Sequence, residues 1–179
     1  MVSKMKNGII LYKSSYGSTK KYALWLQERT GFALRETKKA KLQDVLAYDT
    51  VILGGGLYAG FIAGLGFLKK HYGQLKDKKV LVFAVGATPY DEKYIATCKD
   101  AQFKDELAQL PLFYCRGAWD DRKMKPFHRF IISMGRKMMQ KQNDPSMESM
   151  AAGLMGAAGQ AADWTDAGYL NPILAELEK

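Results

Sequence analysis

The stretch that decides the fold is Gly8-Ile9-Ile10-Leu11-Tyr12-Lys13-Ser14-Ser15-Tyr16-Gly17-Ser18-Thr19. Residues 8–12 form a short unbroken apolar run, the pattern of a strand covered on both faces. A helix-length stretch follows over residues 18–30. The loop between them, residues 14–19, carries four Ser/Thr hydroxyls and a glycine where a helix begins. There the first N–H groups lack intrahelical acceptors, the helix dipole favours an anion, and hydroxyls add donors. Read locally, the same residues also suit an ordinary Ser/Thr helix cap. The loop contains neither G-x-x-x-x-G-K-[ST] nor G-x-G-x-x-G, so it is not a P-loop or a dinucleotide fingerprint. Glu36 falls about 20 residues beyond it, where a ribose-binding acid would sit, and is read as a solvated charge.

Working outward, apolar runs recur at residues 31–35, 50–53, 79–85 and 112–115. Helix-like segments separate them at 62–72 and 91–110, and a last helix is expected over 164–177. Continuous rather than alternating apolar strands, spaced by helices, predict a parallel sheet with helices on both faces. With right-handed crossovers this is a doubly wound five-stranded α/β fold. Ligands in such sheets sit beyond the carboxyl ends of the strands. The 179 residues suit one domain, 1–179, in which 118–161 reads as an insertion without strand signal between the fifth strand and the last helix. No run of 18 apolar residues occurs, which excludes a conventional transmembrane helix. Cys98 and Cys115 show no metal-ligand spacing and read as buried small hydrophobes in a reducing compartment. With no room for a leader before the first strand, the expected location is cytoplasmic. His71 and His128 read as solvated residues without a catalytic role.

Two further loops lie at the same sheet edge. Gly54-Gly55-Gly56-Leu57-Tyr58-Ala59-Gly60 follows the third strand, with glycines that permit close approach to a flat ligand. Gly86-Ala87-Thr88-Pro89-Tyr90 follows the fourth. Tyr58 and Tyr90 are each placed to cover a ring, although either loop alone is an ordinary turn.

Residues 10–19, with Ala23 and Leu26 following, resemble the flavodoxin signature, and the strand-helix rhythm of the family extends over residues 7–117. The resemblance implies strand order 2-1-3-4-5 and FMN as cofactor. Its phosphate would be held by Ser14, Ser15, Tyr16, Gly17, Ser18 and Thr19. The isoalloxazine would lie between Gly56, Leu57, Tyr58 and Ala59 on one side and Gly86, Ala87, Thr88 and Tyr90 on the other.

Lys and Arg outnumber Asp and Glu by 27 to 18, whereas carrier flavodoxins are typically acidic. The excess is concentrated in residues 122–141, which hold seven Lys/Arg and no acid. Within them Phe127, Phe130, Ile131, Met134 and Met138 recur at i, i+3, i+4, i+7 and i+11, while Arg129, Arg136, Lys137 and Gln140 fall on other faces. That is a basic amphipathic helix. It could pack its stripe on the domain, or rest from Phe127 to Met139 on an anionic membrane. Seven of nine methionines lie between Met124 and Met155, suiting either an adaptable apolar surface or irregular core gaps. The run Ala151-Ala152-Gly153-Leu154-Met155-Gly156-Ala157-Ala158-Gly159 reads as a lid or a linker.

The basic charge, His128-Arg129-Phe130-Ile131-Ile132 and Asp163-Trp164 resemble the menaquinone-dependent protoporphyrinogen dehydrogenases within the flavodoxin-like family. This implies an FMN dehydrogenase acting on protoporphyrinogen IX or a similar lipophilic substrate, with a quinone as acceptor, peripheral on the inner face of the membrane. The substrate would approach near Tyr58, Tyr90 and residues 116–119. The alternative is a basic electron carrier docking on an acidic redox protein without substrate turnover. No motif for groove reading or strand stacking points to nucleic acid.

Overall fold

A computed structural model describes residues 7–127, 129, 130, 133, 134 and 161–179. Five parallel strands, β1 (Gly8–Lys13), β2 (Ala33–Glu36), β3 (Thr50–Tyr58), β5 (Lys79–Gly86) and β6 (Leu112–Arg116), lie in the order β2-β1-β3-β5-β6. The short β4 (Phe61–Ile62) folds back antiparallel on the end of β3. With that hairpin set aside, the order is the expected 2-1-3-4-5.

The unbroken apolar strands follow from burial on both faces. Ile9, Leu11, Val51, Leu53, Val80 and Val82 point to one core, which includes Leu68, Tyr72 and Leu75 of α3 (Gly66–Leu75). Their alternates Ile10, Ile52, Leu81 and Phe83 point to the other, with Tyr22, Ala23 and Leu26 of α1 (Ser18–Thr30) and Ile173 of the last helix. The buried residues of α1, Thr19, Tyr22, Ala23, Leu26 and Thr30, fall on one helical stripe. Gly31, read as the start of the second strand, instead ends α1 at φ 70°, its N–H bonding the Gln27 carbonyl.

Other boundaries also move. The third strand runs on through the glycines to Tyr58, and α3 starts at Gly66 rather than residue 62. A five-residue helix, α2 (Leu42–Leu46), intervenes between β2 and β3. The 91–110 segment divides into α4 (Glu92–Gln102) and a 3-10 turn, Asp105–Leu107. The closing helix is shorter than expected: a 3-10 turn, Ala167–Leu170, leads into α5 (Asn171–Leu177).

The ends of the insertion are not strandless as the sequence suggested. β7 (Ala118–Asp120) pairs antiparallel with β8 (Ala161–Asp163), which joins the two ends of the 118–161 segment in one ribbon. Within the basic segment Phe127, Phe130 and Met134 are helical and exposed, Phe127 by 68% and Phe130 by 61%. Ile131, Arg136, Lys137, Met138, Met139, Gln140, His128 and the run 151–159 lie outside the described residues.

Both cysteines are free and buried. Burial pushes the Cys115 thiol up to about 12, and burial likewise pushes the Tyr114 phenol up to about 12. Tyr22 and Tyr94 are raised by the same cause. The folded state thus holds these acids neutral, while the unfolded chain releases their protons from about pH 8.5–10 upward. Their contribution is complete below that range and is lost as pH climbs toward the folded values. Thermal melts should show stability declining continuously from about pH 9 to 12, by on the order of a few kcal/mol at the upper end. A melting temperature flat across this interval would contradict the assignment.

Candidate functional site

The carboxyl ends of β1, β3, β5 and β6 surround one cleft. It is lined by Ser14, Tyr16, Ser18, Thr19, Leu57, Tyr58, Val85, Gly86 and Ala87, and by residues 117–120, Lys123 and Met124. Of the residues expected at the site, Ser14, Tyr16, Ser18, Thr19, Leu57, Tyr58, Gly86 and Ala87 meet here. Ser15, Gly17, Gly56, Ala59, Thr88 and Tyr90 are not among the residues that line it. Tyr90 is largely exposed, its ring 6.1 Å from that of Tyr114. Thr88 is held by Tyr114, whose hydroxyl donates to the Thr88 carbonyl at 2.5 Å.

The entry to α1 bears on the helix-cap reading of the hydroxyl loop. Gly17 occupies the N-cap position at φ 103°, a conformation that glycine adopts without strain, and no side chain caps the helix. Its first turn contains no acidic residue either. By contrast α4 is capped conventionally, with Asp91 accepting from the Tyr94 N–H at 2.7 Å. The hydroxyls of the loop are turned to other work: Ser14 Oγ accepts from the Gly17 N–H at 3.0 Å, and Ser18 Oγ from the Ala118 N–H at 3.1 Å. A hydroxyl that accepts from the protein keeps its own O–H to donate. The outcome is a helix terminus with its N–H groups and two hydroxyl donors left for an external anion.

Tyr58 folds back over Gly56, where a Cβ would lie within 2.7 Å of the phenol ring. Its hydroxyl hydrogen-bonds Ser15, which partly offsets the upward push of burial on the phenol. Tyr16 meets the Tyr58 ring edge-on at 5.9 Å, and its hydroxyl accepts from the Lys125 N–H at 3.1 Å. The hydroxyl loop is thereby joined both to the third-strand loop and to the start of the insertion. The close approach allowed by the glycine run is partly to the protein itself. A Cβ on Gly54 would meet the Phe83 ring, and one on Gly55 the Ala63 carbonyl.

The sequence placed Gly117, Ala118 and Trp119 at the substrate approach rather than among the cofactor residues, and did not assign Asp120, Lys123 or Met124 to the site at all. The usable signal was their position directly after the fifth strand, at the switch-point edge. The Asp163-Trp164-Thr165 stretch fixes this region from behind. Lys21 Nζ pairs with Asp163 Oδ2 at 3.1 Å and donates to Thr165 Oγ1 at 2.6 Å. The Arg116 guanidinium lies 4.1 Å above the Trp164 ring while its Nε donates to the Ala87 carbonyl. A cation thus stands beside the lining residue Ala87. Among the described residues no group of His, Cys, Asp and Glu could hold a metal ion, and no helix is long and apolar enough to cross a membrane.

A flavodoxin-domain family model matches residues 9–146. No curated protein matches the sequence significantly. Among solved structures, a Lactobacillus acidophilus flavoprotein in complex with FMN is 20% identical, with 62% of this chain and 92% of that one covered and a TM-score of 0.41. A two-electron-reduced Megasphaera elsdenii flavodoxin is 19% identical, covering 60% and 82% at TM-score 0.46. A WrbA-like flavodoxin from Agrobacterium tumefaciens is 14% identical, covering 84% and 98% at TM-score 0.46. With the domain match spanning most of its length, the chain belongs to the flavodoxin-domain family.

Proposed function

We propose that this chain is an FMN flavoprotein that oxidises a lipophilic donor of the protoporphyrinogen type and passes the electrons to a quinone, peripheral on the inner face of an anionic membrane. The observation that carries the cofactor is the uncapped, acid-free start of α1 opening into a cleft that also holds Tyr58, Leu57 and Ala87. That pairing of an anion site with an apolar, aromatic wall suits a phosphate-tailed ring. FMN, when bound, supplies the one- and two-electron redox chemistry. Ser14, Ser18 and Thr19 would hold its phosphate, and the loops of Tyr58 and Ala87 would orient its ring and exclude water. Arg116 adds positive charge beside Ala87, which favours electron-rich states of a ring held there.

The membrane component is supported by Phe127, Phe130 and Met134, exposed on a segment that also carries exposed Lys125 and Arg129. An apolar face rimmed by cations suits anionic lipid, each basic residue contributing about 1 kcal/mol near the surface.

Purified protein should be yellow, and acid should release a flavin with the mass of FMN. A colourless protein that cannot be reconstituted with FMN would end this reading. Holoprotein should reduce a quinone with protoporphyrinogen as donor and co-sediment with anionic vesicles. Converting both Lys125 and Arg129 to Gln should weaken vesicle binding by about tenfold or more. Salt-sensitive docking on an acidic redox protein, with no donor turnover, would instead favour the carrier role.

A further inference from the structure

Trp119 lines the cleft and, among the described residues, carries a buried polar atom with nothing to bond. Its side chain is more than nine-tenths buried, and its indole N–H finds no acceptor among the described residues. An indole nitrogen only donates, so water or a ligand oxygen must satisfy it or its burial stays uncompensated. The residue is also firmly placed. Ala118, immediately before it, donates to Ser18 Oγ at 3.1 Å. A Cβ on Gly117 would lie 3.3 Å from that of Ser18 and 2.9 Å from Val85. On the far side Lys125 N–H bonds Tyr16. These contacts tie the β7 strand to the first turn of α1, and Trp119 lines the same cleft as Ser14, Ser18 and Thr19.

Building on the FMN reading above, we propose that the Trp119 indole N–H is a ligand of the FMN phosphate, given by the root of the insertion rather than by the hydroxyl loop. The phosphate is the strongest acceptor the cofactor carries, and charge-assisted bonds are the strongest that a neutral donor makes. Lys123, which lines the same cleft, adds a positive charge. The one carboxylate in the lining, Asp120, is neutralised locally. Arg122 donates to both of its oxygens at 3.1 and 3.3 Å, and Lys123 stands 3.9 Å away. Seating the phosphate would therefore also couple cofactor binding to the placement of β7 and of the chain that follows it.

The test is Trp119→Phe, which keeps an aromatic ring and removes the donor. Fluorescence titrations would compare FMN with riboflavin, which lacks the phosphate, for wild type and variant. FMN binding should weaken about 10- to 50-fold while riboflavin binding stays within about twofold. Equal weakening of both ligands would overturn the phosphate assignment, since only ring packing would then have been lost. FMN binding unchanged in the variant would overturn the role of Trp119 and leave the FMN reading standing. Wild type binding neither flavin would overturn both. If the variant does not fold, the wild-type protein still decides: with ¹⁵N-labelled indole, the Trp119 N–H resonance should shift and gain exchange protection with FMN or inorganic phosphate but not with riboflavin. A resonance unmoved by FMN would overturn the proposal.

Discussion

Ser18→Asp will leave the apoprotein folded, with a melting temperature at or above that of wild type, yet will weaken FMN binding by about 1,000-fold. The two readouts move in opposite directions for one reason. The start of α1 has neither a side-chain cap nor an acid in its first turn, so a carboxylate there meets an unneutralised dipole and is itself stabilising by about 0.3–1 kcal/mol. The new side chain retains an oxygen for the Ala118 N–H that Ser18 now satisfies. But the carboxylate would fill the position proposed for the phosphate. Placed near a phosphate, it adds a repulsion of about 4 kcal/mol per charge pair at 4 Å under partial screening, and it removes a hydroxyl donor. Calorimetry of the apoprotein and fluorescence titration with FMN measure the two halves independently. FMN binding within tenfold of wild type would mean that the phosphate sits elsewhere, whatever the melting temperature does. An isolated loss of stability would mean that the loop is merely structural.

The residues that make this prediction definite were legible in the sequence to different degrees. The limits of α1 were plain, because Gly17 and Gly31 bracket a stripe of buried residues at helical spacing. The five parallel strands were plain as well, since burial on both faces leaves no alternation to confuse them. What could not be read depends on contacts distant in the chain. β7 and β8 are three residues each and pair across about forty intervening positions, so neither carries a local pattern. α2 spans five residues, too few to display a helical period. The glycines of β3 read as a loop because strand propensity is weakest at glycine, yet there the strand continues against β5 through Gly56 and Val85. The same limit explains the site. The hydroxyl loop and the two ring loops are contiguous motifs. Residues 116–119 were legible only as a substrate approach; the hydrogen bond that ties Trp119's neighbour to a helix 100 residues earlier is a relation no window of sequence contains.

That hidden strand supports the second large effect: Gly55→Ala should destabilise the protein by about 3 kcal/mol, lowering the melting temperature by roughly 6–12 °C. An added Cβ would lie 2.0 Å from the Ala63 carbonyl oxygen and 2.8 Å from Ile62. The oxygen is backbone and cannot rotate away. Moving it means disturbing β4, whose Ile62 is buried and whose next residue donates its N–H to Gly56 at 2.9 Å. Gly56→Ala provides the comparison within the same strand. There the Cβ meets only the outer end of the Tyr58 ring, with the hydroxyl oxygen at 2.4 Å, and a flexible side chain can swing aside at a cost of about 1 kcal/mol. Displacing Tyr58 breaks its bond to Ser15, so this milder substitution should alter FMN absorbance and affinity more than stability. The two neighbours therefore separate scaffold from site: Gly55→Ala should register in thermal melts, and Gly56→Ala in the flavin spectrum. Equal losses of stability at both positions would show that Tyr58 is a rigid part of the fold rather than a movable wall of the cleft.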